Sequence, residues 1–152
     1  MKTEMSITKM MLVVWLLFFG LLPGLAAADG YKEGVRAEVL LKTTTTSNGQ
    51  RLQYLKTDKA ELTAMRVTIA PGRETGWHLH VVPVYAYVVS GKLTVMMADG
   101  TNHEFQEGQV IVEVFDYPHN GINKGDKPVE LIVFYAGAED LPLVRKLAPP
   151  GK

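Results

Sequence analysis

The sequence predicts an all-β fold, an antiparallel sandwich or barrel built as a single domain. Two observations carry this. After residue 29 no stretch keeps apolar residues in a helical period for three turns, whereas short runs rich in β-branched and aromatic residues recur. Turn signals divide these runs at the spacing that packed antiparallel strands require. A length of 152 residues suits one domain, and no internal repeat, low-complexity stretch or second boundary interrupts it.

The elements follow in order. Residues 35–44 are the first expected strand. Ser47-Asn48-Gly49 signals a hairpin, since Asn-Gly reaches positive φ cheaply, and residues 51–55 return from it. Residues 61–70 come next and stop at Pro71-Gly72. Residues 84–89 end at Ser90-Gly91, and residues 92–97 end at Asp99-Gly100. Residues 103–105, 110–115 and 129–135 bring the set to about eight strands. The tail, residues 141–152, carries Pro142, Pro149 and Pro150 and is expected to be a surface strap.

Residues 1–28 have the layout of a secretory signal peptide. Lys2, Lys9 and the amino terminus give a positive start, offset only by Glu4. Residues 10–22 are then apolar apart from Gly20, Pro23-Gly24 breaks the run, and Ala26-Ala27-Ala28 supplies small residues for cleavage. The rival reading is an uncleaved anchor, but the thirteen residues of that run reach only about 20 Å as a helix, short of the roughly 30 Å hydrocarbon core. No Cys stands beside the cleavage site, which excludes a bacterial lipoprotein anchor. The expected mature chain is residues 29–152, periplasmic or secreted, with no membrane attachment after cleavage.

Composition removes several function classes. The chain is 47% hydrophobic and 21% charged, which argues against wholesale disorder and fibrous repeats. Sixteen basic residues balance sixteen acidic ones, and removal of Lys2, Lys9 and Glu4 leaves 14 against 15. That balance gives no electrostatic case for a nucleic-acid partner. Cys is absent, so disulfides, thiolate metal sites and cysteine nucleophiles are ruled out together.

The four histidines are His78, His80, His103 and His119. His78 and His80 stand two apart, and on an extended strand such residues share a face, so two imidazoles can meet one ion from a rigid edge. A surface pair explains that spacing equally well. The flanks tip the balance: Gly72 lies six before His78, Gly91 eleven after His80, and His119 follows Pro118 and precedes an Asn120-Gly121 turn.

Gly72-Arg73-Glu74-Thr75-Gly76-Trp77-His78-Leu79-His80, with Val84 and Gly91, resembles the first cupin motif, residues 72–91. Gly108, His119 and Asn123 resemble the second, residues 108–123, with sixteen residues between the two. The resemblance implies a double-stranded β-helix, the cupin jelly-roll barrel, over residues 29–152. It also implies three metal ligands, His78, His80 and His119, around one divalent transition ion of iron, zinc, nickel, copper or manganese. The chain departs from the motifs at two places. Val84 stands where the family has a metal-binding Glu, and Val114 and Asp116 replace the Pro and Gly of the second motif.

Three neutral imidazoles leave a divalent ion with its full charge and an open position, which suits Lewis-acid work or the binding of a chelating substrate with oxygen. Within the family, Glu-containing sites are typical of manganese oxalate enzymes and acireductone dioxygenases, and Glu-free sites of thiol and diketone dioxygenases. Val84 therefore points away from the manganese oxalate group. If Val84 faces the ion, so do Ala86 and Val88, while Tyr85 and Tyr87 turn outward to packing or to an interface such as that of a homodimer. Glu113, between Val112 and Val114, is either a replacement ligand, a general base or a solvated residue, and solvent is the favoured side. Tyr135 and Trp77 are expected to pack, His103 to lie at the surface, Asn120 and Asn123 to cap turns, and Arg66 and Arg73 to be solvated.

The leading function is a metal-dependent oxidoreductase of dioxygenase type acting on a small organic molecule. The alternatives are a non-catalytic periplasmic module that binds metal or a small ligand, and a metal-dependent lyase or isomerase.

Overall fold

The computed structural model describes residues 32–151, which fall into two units divided between Glu38 and Val39. The expected leader lies outside the described residues. In the first unit, residues 32–38 form a turn closed by the Val35 N–H on the Lys32 carbonyl at 3.1 Å. The second unit, Val39–Lys152, contains all the strands found among the described residues.

Those strands are β1 (Ala60–Ile69), β2 (His78–Leu79), β3 (Val84–Ser90), β4 (Lys92–Met97), β5 (Asn102–Gln106), β6 (Val110–Val112), β7 (His119–Ile122), β8 (Val129–Ala138) and β9 (Arg145–Lys146). They make two antiparallel sheets, β1-β8-β3-β6 and β5-β4-β7-β2-β9, and no helix occurs among the described residues. Apart from the β4–β5 hairpin, each strand lies in the sheet opposite its predecessor. The chain thus winds between two facing sheets, which is the double-stranded β-helix.

The core fills the space between them. Along β3 the alternation is plain: Val84, Ala86 and Val88 are buried, while Tyr85 and Tyr87 are only partly covered. Val129, Leu131, Val133 and Tyr135 of β8 meet Leu93, Val95 and Met97 of β4 in the same cluster. Each such aliphatic side chain contributes about 1.5–3 kcal/mol when fully buried. The corner between β3 and β4 is tight. Gly91 turns it at φ +82, and a Cβ there would stand 2.8 Å from the Pro128 carbonyl oxygen.

The first two expected strands do not form. Residues 35–44 are irregular, with Val39, Leu40 and Leu41 exposed at 49%, 57% and 45%. Their β-branched composition finds no partner strand, and an unpaired strand leaves its backbone groups without ladder bonds. The hairpin turn is present but short: Thr45 bridges Arg51, and Gly49 takes φ +86. Its return arm, residues 51–55, goes no further as a strand. The hairpin instead packs along the β6 edge, where the Ser47 N–H donates to the Val112 carbonyl at 2.8 Å.

Strand β6 is shorter than expected for a related reason. The Gln50 side chain occupies both backbone groups of Phe115, accepting from its N–H and donating to its carbonyl at 3.1 Å each. Asp116 then turns at φ 45. Asn120-Gly121, expected as a turn, lies inside β7. Thr75 straightens it by taking the Gly121 carbonyl through its backbone (2.9 Å) and the Gly121 N–H through its hydroxyl (3.0 Å).

Candidate metal centre

Strand pairing places the three histidines. His78 of β2 lies directly across from His119 of β7, and side chains directly opposed on neighbouring strands share a face. His80 follows two residues after His78 on that same face. The ring centroids stand 4.3 Å apart for His78–His119, 4.9 Å for His78–His80 and 5.0 Å for His80–His119. One ligand nitrogen from each lies within 4.8 Å of the others, so the trio could hold a metal ion.

The backbone decides which nitrogen faces inward. Nδ1 of His78 meets the Gly76 carbonyl at 2.8 Å, Nδ1 of His80 the Leu143 carbonyl at 3.1 Å, and Nδ1 of His119 the Tyr117 carbonyl at 2.9 Å. A carbonyl can only accept, so each Nδ1 carries the proton and donates. Each Nε2 is then left as a bare lone pair, the form a metal requires, with ring orientation held by the carbonyl behind it. Burial keeps all three rings neutral: desolvation lowers the pKa of His78 and His119, and takes that of His80 down to about 3. The His119 Nε2 is buried without a hydrogen-bond partner. A buried acceptor of this kind is costly unless something fills it, and an ion would.

Glu113 reverses its favoured expectation, since it points inward rather than to solvent. Its N–H donates to the Val84 carbonyl at 3.0 Å, and Tyr85 pairs with Val112, so Glu113 stands directly opposite Val84 on the interior face. Its Oε2 lies 3.7 Å from the His119 Nε2 and, like it, is buried without a partner. Desolvation raises the carboxyl pKa to about 7.

Tyr135 packs in the core as expected, but it also walls the pocket, its ring 5.6 Å from that of His80. It pairs with Val84 on the other side, so β8, β3 and the residue that follows β6 present the row Tyr135, Val84, Glu113. Val84 does face the interior. Its two neighbours, rather than Val84 itself, line the pocket with the histidines.

That pocket has a volume of about 60 Å³ and is walled chiefly by aliphatic residues of β1, β4 and β8, among them Ile69, Val95 and Leu131. A second cavity of about 290 Å³ lies under the Ser47 hairpin, between Arg51, Val84, Tyr85 and Phe115, and Glu113 lines both.

The remaining candidates fall outside the trio. His103 sits half-buried on β5, opposite Val95. Asn123 serves a turn, as expected: its side chain donates to the Ile69 and Lys127 carbonyls at 2.8 Å each and accepts from the Gly125 N–H at 2.9 Å. Asn120 donates to Glu74 at 3.0 Å. Arg66 forms an exposed pair with Glu130, and Arg73 is exposed. The tail is more than a strap. Its β9 pairs with β2, and its Leu143 carbonyl orients His80. A backbone carbonyl has no side-chain signature, so the sequence could not announce that role.

Comparison with known proteins places the architecture. Residues 65–135 match the family model described as the cupin domain, a window that contains all three histidines. Among solved structures, the DMSP lyase DddQ from Ruegeria pomeroyi DSS-3 is similar with a TM-score of 0.51 and 19% identity, over 60% of this chain and 45% of that one. A Cupin 2 conserved barrel domain protein from Salinispora arenicola CNS-205 gives 0.47 and 24%, over 59% and 74%. The oxalate decarboxylase from Lactobacillus farciminis, solved as a formate complex, gives 0.48 and 20%, over 63% and 33%. The chain thus spans less than half the length of the lyase, and the likeness is one of fold. No curated protein matches the sequence. With the family window lying across the alternating two-sheet winding, residues 65–135 are a cupin domain.

Proposed function

We propose that the protein is an exported metal-dependent enzyme that oxidises a small organic molecule, in the manner of a dioxygenase. One divalent transition ion would be held by His78, His80 and His119. The observation that carries this reading is the convergence of three carbonyl-anchored imidazoles on a small, mostly aliphatic pocket. Imidazole ligation suits iron, copper, nickel and zinc. Such an ion supplies Lewis acidity and, where it is iron or copper, electrons for reaction with dioxygen.

The chain's own residues supply the rest. The carbonyls of Gly76, Leu143 and Tyr117 hold the three rings in one tautomer and one orientation. The aliphatic wall keeps the pocket to about 60 Å³, which leaves room at the ion for only a few atoms. Glu113, which lines both this pocket and the larger cavity under the Ser47 hairpin, is the residue the two share. A second reading, a lyase or isomerase, is favoured by Tyr135, a proton-bearing side chain that lines the pocket with its ring 5.6 Å from that of His80.

The deciding experiment is oxygen uptake by iron-loaded protein across a panel of small hydroxy acids, diketones and thiols. Uptake that disappears in His80→Ala supports the oxidase reading. Turnover that proceeds without oxygen favours the lyase reading. Tight binding of a panel compound without turnover favours a ligand-binding module. Export has its own support in the leader, and intact-mass analysis of the periplasmic fraction should find a chain beginning near Asp29.

A further inference from the structure

Resting on the three-histidine reading, we propose that Glu113 is the fourth protein ligand of this metal centre, a carboxylate carried just past the end of β6, opposite the β3 position where the motif would have placed it. The motif leaves Val84 where a carboxylate is expected. Directly across the ladder from Val84, and on the same interior face, stands Glu113. Moving the acid from one strand to its facing neighbour keeps it on the wall that the histidines confront.

The local chemistry agrees. The His119 Nε2 is a bare acceptor, because its Nδ1 holds the proton against the Tyr117 carbonyl. The Glu113 Oε2 is an acceptor too, and the two face each other at 3.7 Å with neither partnered. Two buried acceptors this close are unfavourable unless a proton or a metal cation lies between them, and 3.7 Å is too long for a shared proton. The spacing admits a metal cation: donors each about 2.1 Å from an ion are about 3.0 Å apart at a right angle and about 4.2 Å apart when opposed. Burying an unpartnered carboxylate in an aliphatic pocket is otherwise expensive. With Glu113 bound, the ion's net charge in the site falls from +2 to +1. The donor set then shifts toward oxygen, which favours harder ions such as manganese over zinc.

The test is metal binding by the mature protein, stripped with a chelator and titrated separately with manganese and zinc by calorimetry, with the manganese resonance signal as a second readout. Glu113→Gln keeps the size and removes the charge, Glu113→Val removes the ligand, and the swap Val84→Glu with Glu113→Val moves it across the ladder. We expect manganese affinity to fall tenfold or more in both single variants and zinc affinity to fall less. The swap should return manganese affinity to within about threefold of the parent. If Glu113→Val fails to fold, Glu113→Gln decides the matter. Manganese binding unchanged in Glu113→Gln would overturn the proposal, as would a folded swap that recovers nothing. A parent protein that binds neither ion would overturn the metal reading itself, and this proposal with it.

Discussion

Replacing Gly91 with alanine should destabilise the barrel without altering the centre. Two costs combine there. Gly91 sits at φ +82, a conformation that L side chains adopt at a cost of order 1–3 kcal/mol. The added Cβ would also lie 2.8 Å from the Pro128 carbonyl oxygen and 3.1 Å from the Val129 Cα. Both are backbone atoms, so relief requires shifting the start of β8 or the β3–β4 corner, at about 1–3 kcal/mol. The sum, roughly 2–6 kcal/mol, lowers the melting temperature by about 8–24 °C at roughly 4 °C per kcal/mol in a domain of this size. Gly100 separates the two costs, since it has φ +86 and nothing within 4 Å of its notional Cβ. Gly100→Ala should therefore show only the first. The assay is thermal melting of metal-free protein followed by circular dichroism, with metal stoichiometry measured well below the transition. A Gly91→Ala protein that melts no lower than Gly100→Ala would refute the reasoning.

Two further outcomes follow from the same contacts. Asn123→Ala removes three hydrogen bonds from a residue exposed at 1% and strands two carbonyls and an N–H. It should cost about 2–4 kcal/mol in denaturant unfolding, and a loss below 1 kcal/mol would count against the clamp. Ending the chain after Asp140 removes β9 and the Leu143 carbonyl behind His80. Metal affinity should then drop about 10–100-fold, the usual effect of losing a group that orients a ligand, and calorimetry showing parental affinity would remove that role from the tail.

Much of this architecture was legible in the residues. Strand β4 begins and ends where Gly91 and the Asp99-Gly100 turn require. The His-x-His pair and His119 come together because strand alternation and one cross-strand pairing suffice to join them. Glu113 was harder to read, because Val112 and Val114 on either side are both buried and polarity does not alternate around it. Its direction depends on register against Val84, a long-range fact. Residues 35–44 failed in the opposite way: their composition favours a strand, but β propensity expresses only the fit to a partner. The carbonyls that set the imidazole tautomers belong to Gly76, Tyr117 and Leu143, whose side chains carry no trace of that duty.

The account's central claim is that His78, His80 and His119 together bind one ion. Chelator-stripped protein titrated with zinc tests it most directly. The parent and His103→Ala should each take up about one ion per chain with the same affinity. His78→Ala, His80→Ala and His119→Ala should each weaken binding at least tenfold. Parental zinc binding in those three variants, or an equal loss in His103→Ala, would contradict the claim.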